Sequence, residues 1–451
     1  MKLPSELFAS LSGVFTGKGM KSEVARNGAG SLILKTFDIL FSFLVTVLLA
    51  RALGRDNYGV YSYVYALVAL LIIPSQFGLP ALVVRETAKA FATQEWGAIQ
   101  GVWRWAGKIT AILVIVFTCI AAVALIFFGD QFNREQILTM FWGLALVPLI
   151  ALGELRGAAL RGLHRIIQGQ IPEQAALPGL FFLFVAAATI FFPAKMSPSL
   201  AMALQVAAAA LAFIAGAWLL LGAMPTEVRY AQPIYKSRFW LASAAPLALI
   251  GGMQFINRRT SILILGLFAD AGQIGIYRIA DQMSLLVSTG LLAMNFVVAP
   301  QFARLHAIGD TERLQKITTI SARIVFFLTL GVSAIFLTLG KPILASVFGS
   351  EFAPAYAPMS ILVISQLVNS LTGSVGMLLN MTGHERETAR GTAIAAASNI
   401  ALNFLLAPFW GVRGAALAAA IATSAWNVIL LLAVRKHLKI NSMAFGSFGE
   451  T

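Results

Sequence analysis

Apolar stretches about the length of a bilayer crossing recur along the chain from residue 29 to residue 434, separated by short polar turns. A hydrocarbon core about 30 Å thick asks for about 20 apolar residues in a helix rising 1.5 Å per residue. Runs this long and this uniformly apolar are helical, because barrel strands would alternate at every second residue. The pattern predicts an all-α polytopic membrane protein of about twelve transmembrane helices. Their expected limits are 29–53, 58–84, 105–128, 137–155, 171–193, 199–222, 240–268, 274–300, 318–340, 354–380, 388–409 and 412–434.

Composition agrees. Of 451 residues, 59% are hydrophobic and 12% charged, where a soluble domain carries about 25% charged residues. An even number of spans puts both termini on one side, and the loops then sort by charge. Of the 33 Lys and Arg residues, twenty-two fall in loops on the terminal side, and only Arg55, Arg134, Lys195, Lys341 and Arg413 fall opposite. By the positive-inside rule both termini are cytoplasmic, in the inner (plasma) membrane. The same asymmetry accounts for the net charge of +14 without a nucleic-acid partner. An interfacial amphipathic segment is expected within the first 26 residues, and short interfacial helices within 85–105 and 303–316. The one cysteine, Cys119, is expected as a buried small hydrophobe.

A shift of 216 residues lays Gly59-Val60-Tyr61 on Gly275-Ile276-Tyr277 and matches the turns before them. An amphipathic loop follows in both copies. Six spans per copy make the halves parallel, related by an axis along the membrane normal, with a central cavity between two six-helix lobes. The expected division is an N-terminal segment (1–28), a first lobe (29–222), an inter-lobe loop (223–239), a second lobe (240–434) and a C-terminal tail (435–451).

Charges inside spans are costly and mark candidate sites. Arg258 and Arg259 lie in the apolar stretch Phe239–Phe268, where Gly251, Gln254, Arg258 and Ser261 share one helix stripe. Adjacent on a helix, the two arginines point about 100° apart, and Arg258 is expected on the cavity axis. Lys35 and Asp38 are three apart in the first span, as are Arg278 and Asp281 in the eighth. Each couple reads either as a packing ion pair or as a switch, with Asp38 and Asp281 the candidate ion-coupling carboxylates. Interfacial snorkelling is a rival reading for Arg278. Ser365, Asn369, Thr372, Gly376 and Asn380 fall near one face of the tenth span. Glu154 and Glu173 flank a loop carrying Arg156, Arg161 and Arg165, which reads as interfacial pairing or an entry point for an anionic headgroup. No paired carboxylates, metal-spaced His/Cys cluster or Ser-His-Asp set stands out, so the chain reads as no enzyme and no metal or cofactor is expected.

LLARALGRDNYGVYSYVYAL (48–67), FGLPALVVRE (77–86), ADAGQIGIYRIADQM (269–283) and GHERETARGTAIAAASNIALNFLLAPFWGVRGAALAAAIAT (383–423) resemble polysaccharide flippases of the Wzx type. That family sits in the multidrug/oligosaccharidyl-lipid/polysaccharide exporter superfamily. The resemblance implies two six-helix bundles in a V. It implies export of an undecaprenyl-diphosphate-linked oligosaccharide by alternating access, driven by a proton or sodium gradient. The sequence has no GxxxxGK[ST] nucleotide loop. Under this reading Arg258, Arg259 and Arg278 bind the diphosphate or an acidic sugar, and Gln254 and Asn369 hydrogen-bond the substrate. Polysaccharide polymerase and glycosyltransferases are the expected protein partners. A cation-coupled multidrug extruder and a lipid II flippase stay open as alternatives.

Overall fold

The computed structural model describes residues 20–192 and 195–446. Among them the helices run α1 (Met20–Gln76), α2 (Leu79–Ala92), α3 (Trp96–Phe128), α4 (Arg134–Gly162), α5 (Leu177–Phe191), α6 (Pro198–Ala223) and α7 (Thr226–Tyr230). The second half holds α8 (Ser237–Phe268), α9 (Ala271–Ala307), α10 (Thr311–Phe348), α11 (Tyr356–Thr372), α12 (Val375–Met381) and α13 (Glu385–Leu438). A π-helical turn, Pro172–Ala176, leads into α5.

Among the described residues ten helices are long and apolar enough to cross a membrane. Two of these fold back at one glycine, α1 at Gly54 (φ 72°) and α13 at Gly411 (φ 53°). Glycine adopts positive φ without steric cost, and each limb keeps the ~20 residues a crossing needs. The ten helices therefore supply twelve crossings.

Three expectations need correction. The second crossing stops at Gln76, not near 84, because Phe77 and Gly78 are both left-handed (φ 43° and 69°) and α2 starts afresh behind them. The tenth crossing is broken at Gly373 (φ 73°), where a side chain would meet the Ser442 carbonyl of the docked tail. The stretch 85–105 is not one interfacial helix, since it divides between the short helix α2 and the start of α3, and 303–316 divides between the end of α9 and the start of α10. Only Thr93–Glu95 separates α2 from α3. Only Ile308–Asp310 separates α9 from α10, where Gly309 is left-handed and the Asp310 carboxylate accepts from the Arg313 N–H at 3.0 Å. The N-terminal interfacial segment falls mainly on residues 1–19, outside the described residues.

The helices assemble as two six-crossing lobes around a central cavity, α1–α6 and α8–α13. In lipid the hydrophobic effect does not drive helices together, so close packing rests on small residues. Ala208, Ala209, Ala212 and Gly216 supply them on α6, and Ala415, Ala416, Ala418 and Ala422 on α13. Large apolar side chains such as Ile126, Phe127, Ile190 and Phe191 point outward, as a lipid-facing belt requires. Cys119 is exposed on this belt rather than buried. An apolar run in a bilayer is satisfied by lipid as well as by protein, so hydrophobicity did not place it inside.

The lobes meet chiefly where the second limb of α1 crosses α9. There a Cβ added to Gly59 would fall on the Ala271 carbonyl, and one added to Gly275 on the Arg55 carbonyl, so the two backbones touch. Gly59 and Gly275 are the matched positions of the internal repeat, and equivalent residues meeting face to face is what an axis between parallel halves produces. Nearby, the Arg51 guanidinium donates to the Val347 carbonyl at 2.7 Å and to that of Ser346, and the Arg55 N–H donates to Glu351 at 3.1 Å. These contacts close the face opposite the termini.

Candidate functional site

The α8 helix stays unbroken through Pro246, Gly251 and Gly252, and it carries Arg258 and Arg259 about 14–15 Å before its end at Phe268. The two side chains enter different cavities. Arg259, rather than Arg258, faces the chamber between the lobes; Arg258 faces a second chamber inside the second lobe.

The inter-lobe cavity is ≈ 320 Å³. Most of its wall comes from α1, α4, α5 and α6, and the second lobe contributes Arg259 and Arg278. Tyr58, Tyr61 and Tyr65 recur at i, i+3 and i+7 on one face of α1 and stack in series, with centroids 6.3 Å apart in each pair. The Tyr61 hydroxyl donates to Gln205 Oε1 at 2.8 Å, which fixes the middle ring. The Arg259 guanidinium lies 5.7 Å from the Tyr65 ring centroid, and no carboxylate lies within 4.0 Å of it among the described residues. The ring face and, at longer range, the Asp281 carboxylate offset its charge without a salt bridge, which leaves its N–H donors for an anion. Arg278 donates to Asp281 at 3.1 Å, so it is steadied but half neutralised.

Towards the terminal side the wall changes character. Asp38 lines the cavity and accepts from Lys35 at 2.7 Å and Ser42 at 3.4 Å. Arg156 is buried, donates to Glu173 at 2.5 Å and to the Phe213 carbonyl, and sits over the Phe213 ring at 5.1 Å. Glu154 and Glu173 also line an adjoining ≈ 430 Å³ opening with Arg161, Gly169 and Gln170, so the chamber continues towards the 163–170 turn on the terminal side.

The second-lobe cavity, also ≈ 430 Å³, is lined by Gln254, Asn257, Arg258, Asn380, Asn399 and Trp426 among others. Gln254 and Arg258 thus share a chamber, as their common stripe predicts, whereas Ser261 is buried in packing. Asn369 lines neither chamber; its amide donates to Gln366 at 3.1 Å. Lys35 and Asp281 reach the inter-lobe cavity only through the partners they hold. Sequence reasoning placed Arg156 in a loop that Glu154 and Glu173 flank, and overlooked Gln205. The signal for Gln205 was present: a lone amide in the Ala-rich run of α6 is costly in lipid and has to find a partner.

A profile described as "Polysaccharide biosynthesis protein" matches residues 24–306. A "Probable low-salt glycan biosynthesis flippase Agl15" of Haloferax volcanii is 23% identical over 423 residues, covering 90% of this chain and 82% of the relative. Among solved structures, an inward-facing multidrug resistance MATE family transporter of the MOP superfamily superposes with a TM-score of 0.71 at 12% identity, covering 89% of this chain and 94% of that one. The lipid II flippase MurJ in an inward closed conformation also gives 0.71, at 14% identity and 89% and 87% coverage. At such identities the two structures establish the shared fold alone. The profile spans well over half of the sequence, from the first crossing through α9, and the chain belongs to the polysaccharide biosynthesis protein family.

Proposed function

We propose that this chain is a flippase that moves an undecaprenyl-diphosphate-linked oligosaccharide from the inner to the outer leaflet for surface polysaccharide assembly. The observation that carries the reading is Arg259: a guanidinium in the inter-lobe cavity, against an aromatic ring and without a carboxylate partner among the described residues. Forked N–H donors match phosphate oxygens in pairs, and Arg278, which lines the same cavity, supplies a second cation. The family and the named function of the Haloferax relative support the same reading.

The positive-inside asymmetry supports a plasma-membrane protein with cytoplasmic termini. On that topology the cavity opens to the cytoplasm and the Gly59–Gly275 crossing is the outer seal. Alternating access then consists of the first lobe (29–222) and the second lobe (240–434) rocking about that crossing, joined by the linker 223–239. Asp38 and Asp281 are the carboxylates proposed to couple this motion to a proton or sodium gradient. Polymerase and glycosyltransferases are the proposed partners on either side of the step. A multidrug extruder for cationic compounds is disfavoured by the two arginines in the cavity.

The test is a flipping assay in proteoliposomes with a fluorescent undecaprenyl-diphosphate oligosaccharide. Arg259→Ala should lower the initial rate at least tenfold at equal protein level, the effect of losing ~1.4 kcal/mol of anion binding. An undiminished rate would remove the anion-site role. Faster transport of cationic drugs than of the glycolipid would favour the extruder.

A further inference from the structure

We propose that the second-lobe cavity is a saccharide subsite for the glycan part of the substrate, selective for a sugar bearing a carboxylate such as a hexuronic acid. The proposal rests on the flippase reading above and goes beyond it by assigning a second chamber and a substrate class.

The lining has the chemistry of polyol recognition. Asn257, Asn295, Asn380 and Asn399 offer amides, Thr388 and Thr392 offer hydroxyls, and Trp426 offers an indole face. Each amide carries both donors and an acceptor, which is what a ring of hydroxyls requires. Among the described residues Arg258 is the single charged side chain of the lining, so an acidic group is favoured and a cation is not. Part of the lining is fixed in place. Asn257 Nδ2 donates to the Thr392 carbonyl at 3.2 Å, Trp426 Nε1 donates to Thr392 Oγ1 at 3.2 Å, and Asn399 Nδ2 donates to the Asn257 carbonyl at 3.3 Å. Two atoms of the lining are left over: Asn295 Oδ1 and Thr388 Oγ1 are buried and have no hydrogen-bond partner among the described residues. An unpaired buried oxygen costs about 1–3 kcal/mol, which a sugar hydroxyl entering the chamber would relieve. The chamber is too polar for a polyprenyl tail and, among the described residues, has no carboxylate of the kind a cationic drug would seek. Because Arg258 and Arg259 are consecutive on α8, the diphosphate and an acidic sugar would be held on the two sides of one helix.

The experiment uses the full chain in nanodiscs, in a Cys119→Ala background, with one reporter cysteine per chamber: Met377→Cys in the second-lobe cavity and Ser42→Cys in the inter-lobe cavity. Maleimide labelling is timed with millimolar glucuronate or with inorganic pyrophosphate. Glucuronate should slow labelling of Met377→Cys about fivefold and leave Ser42→Cys unchanged, and pyrophosphate should do the reverse. Adding Arg258→Ala should abolish the glucuronate effect, and Arg258→Lys should keep part of it. Unchanged labelling of Met377→Cys with glucuronate, or protection that survives Arg258→Ala, overturns the subsite. The flipping assay with Arg259→Ala separates the two ideas: loss of flipping without glucuronate protection leaves the flippase reading and removes the sugar subsite, and the opposite pair of results does the opposite.

Discussion

Replacing Arg156 with alanine tests how the wall of the inter-lobe cavity is held. The guanidinium is 7% exposed, donates to Glu173 at 2.5 Å and to the Phe213 carbonyl, and lies against the Phe213 ring. Gly216 leaves it the room, since a side chain there would run into it. Removing one partner of a buried ion pair costs about 3–5 kcal/mol, because the other charge is left uncompensated. Glu173 is 26% exposed, so solvent recovers part of that cost and the lower end, about 3 kcal/mol, is expected. In a lobe of ~200 residues each kcal/mol shifts the melting temperature by about 2–4 °C, which gives a fall of about 6–12 °C. Differential scanning fluorimetry in detergent reads this directly. Arg156→Ala combined with Glu173→Gln should recover at least half of the loss, because the stranded charge is then gone. A single variant that melts within about 1 °C of the parent, or a double variant no more stable than Arg156→Ala alone, would refute the pair as a structural element of the wall.

Other outcomes follow from the same geometry. A Cβ on Gly272 falls beside the Asp56 carboxylate, so Asp56→Cys with Gly272→Cys should oxidise to a disulfide across the lobes; flipping should stop and return on reduction, and mass spectrometry with the flipping assay reads both. Truncation after Leu438 removes the Asn441–Gln315, Ala444–Leu371 and Arg323–Ala444 hydrogen bonds of the docked tail, and should lower stability by about 2–4 kcal/mol in denaturant titration of the second lobe. Lys35→Ala breaks a half-exposed pair and should cost less than about 1 kcal/mol by thermal melt, whereas a much larger loss would show that the pair locks packing. If Asp281 couples transport to a gradient, Asp281→Asn should make the flipping rate insensitive to an imposed pH or sodium gradient; gradient dependence equal to that of the parent would clear Asp281 of the role.

Much of the architecture was legible because the bilayer imposes a length rule. Crossing helices, their number and their parallel halves follow from apolar run length and from the Gly59 and Gly275 repeat. The helix breaks were less legible. Gly373 has no room for a side chain against the carbonyl of Ser442, a contact sixty-nine residues away that no local pattern reports. The fold of α1 at Gly54, by contrast, was legible, because it falls in the polar break between the expected limits 53 and 58. At the site, the sequence identified α8 and its two arginines, and the 100° between them implied that they would part. Which of them faced the inter-lobe chamber depended on the rotation of α8 about its own axis. That rotation is set by packing against α13 and by the Asn257 contacts to Thr392 and Asn399, both far off in sequence. Arg156 read as a loop charge because a span limit of 155 ended α4 about two turns early; the helix continues to Gly162 and carries the guanidinium into the wall.

The most direct measurement is binding of undecaprenyl diphosphate to the purified protein, by native mass spectrometry or calorimetry, in the parent and in Arg258→Ala and Arg259→Ala. A guanidinium held at the Tyr65 ring and facing the inter-lobe chamber predicts that Arg259→Ala loses at least about tenfold in affinity while Arg258→Ala stays within about twofold of the parent. Equal affinities in all three proteins, or a loss confined to Arg258→Ala, would contradict it.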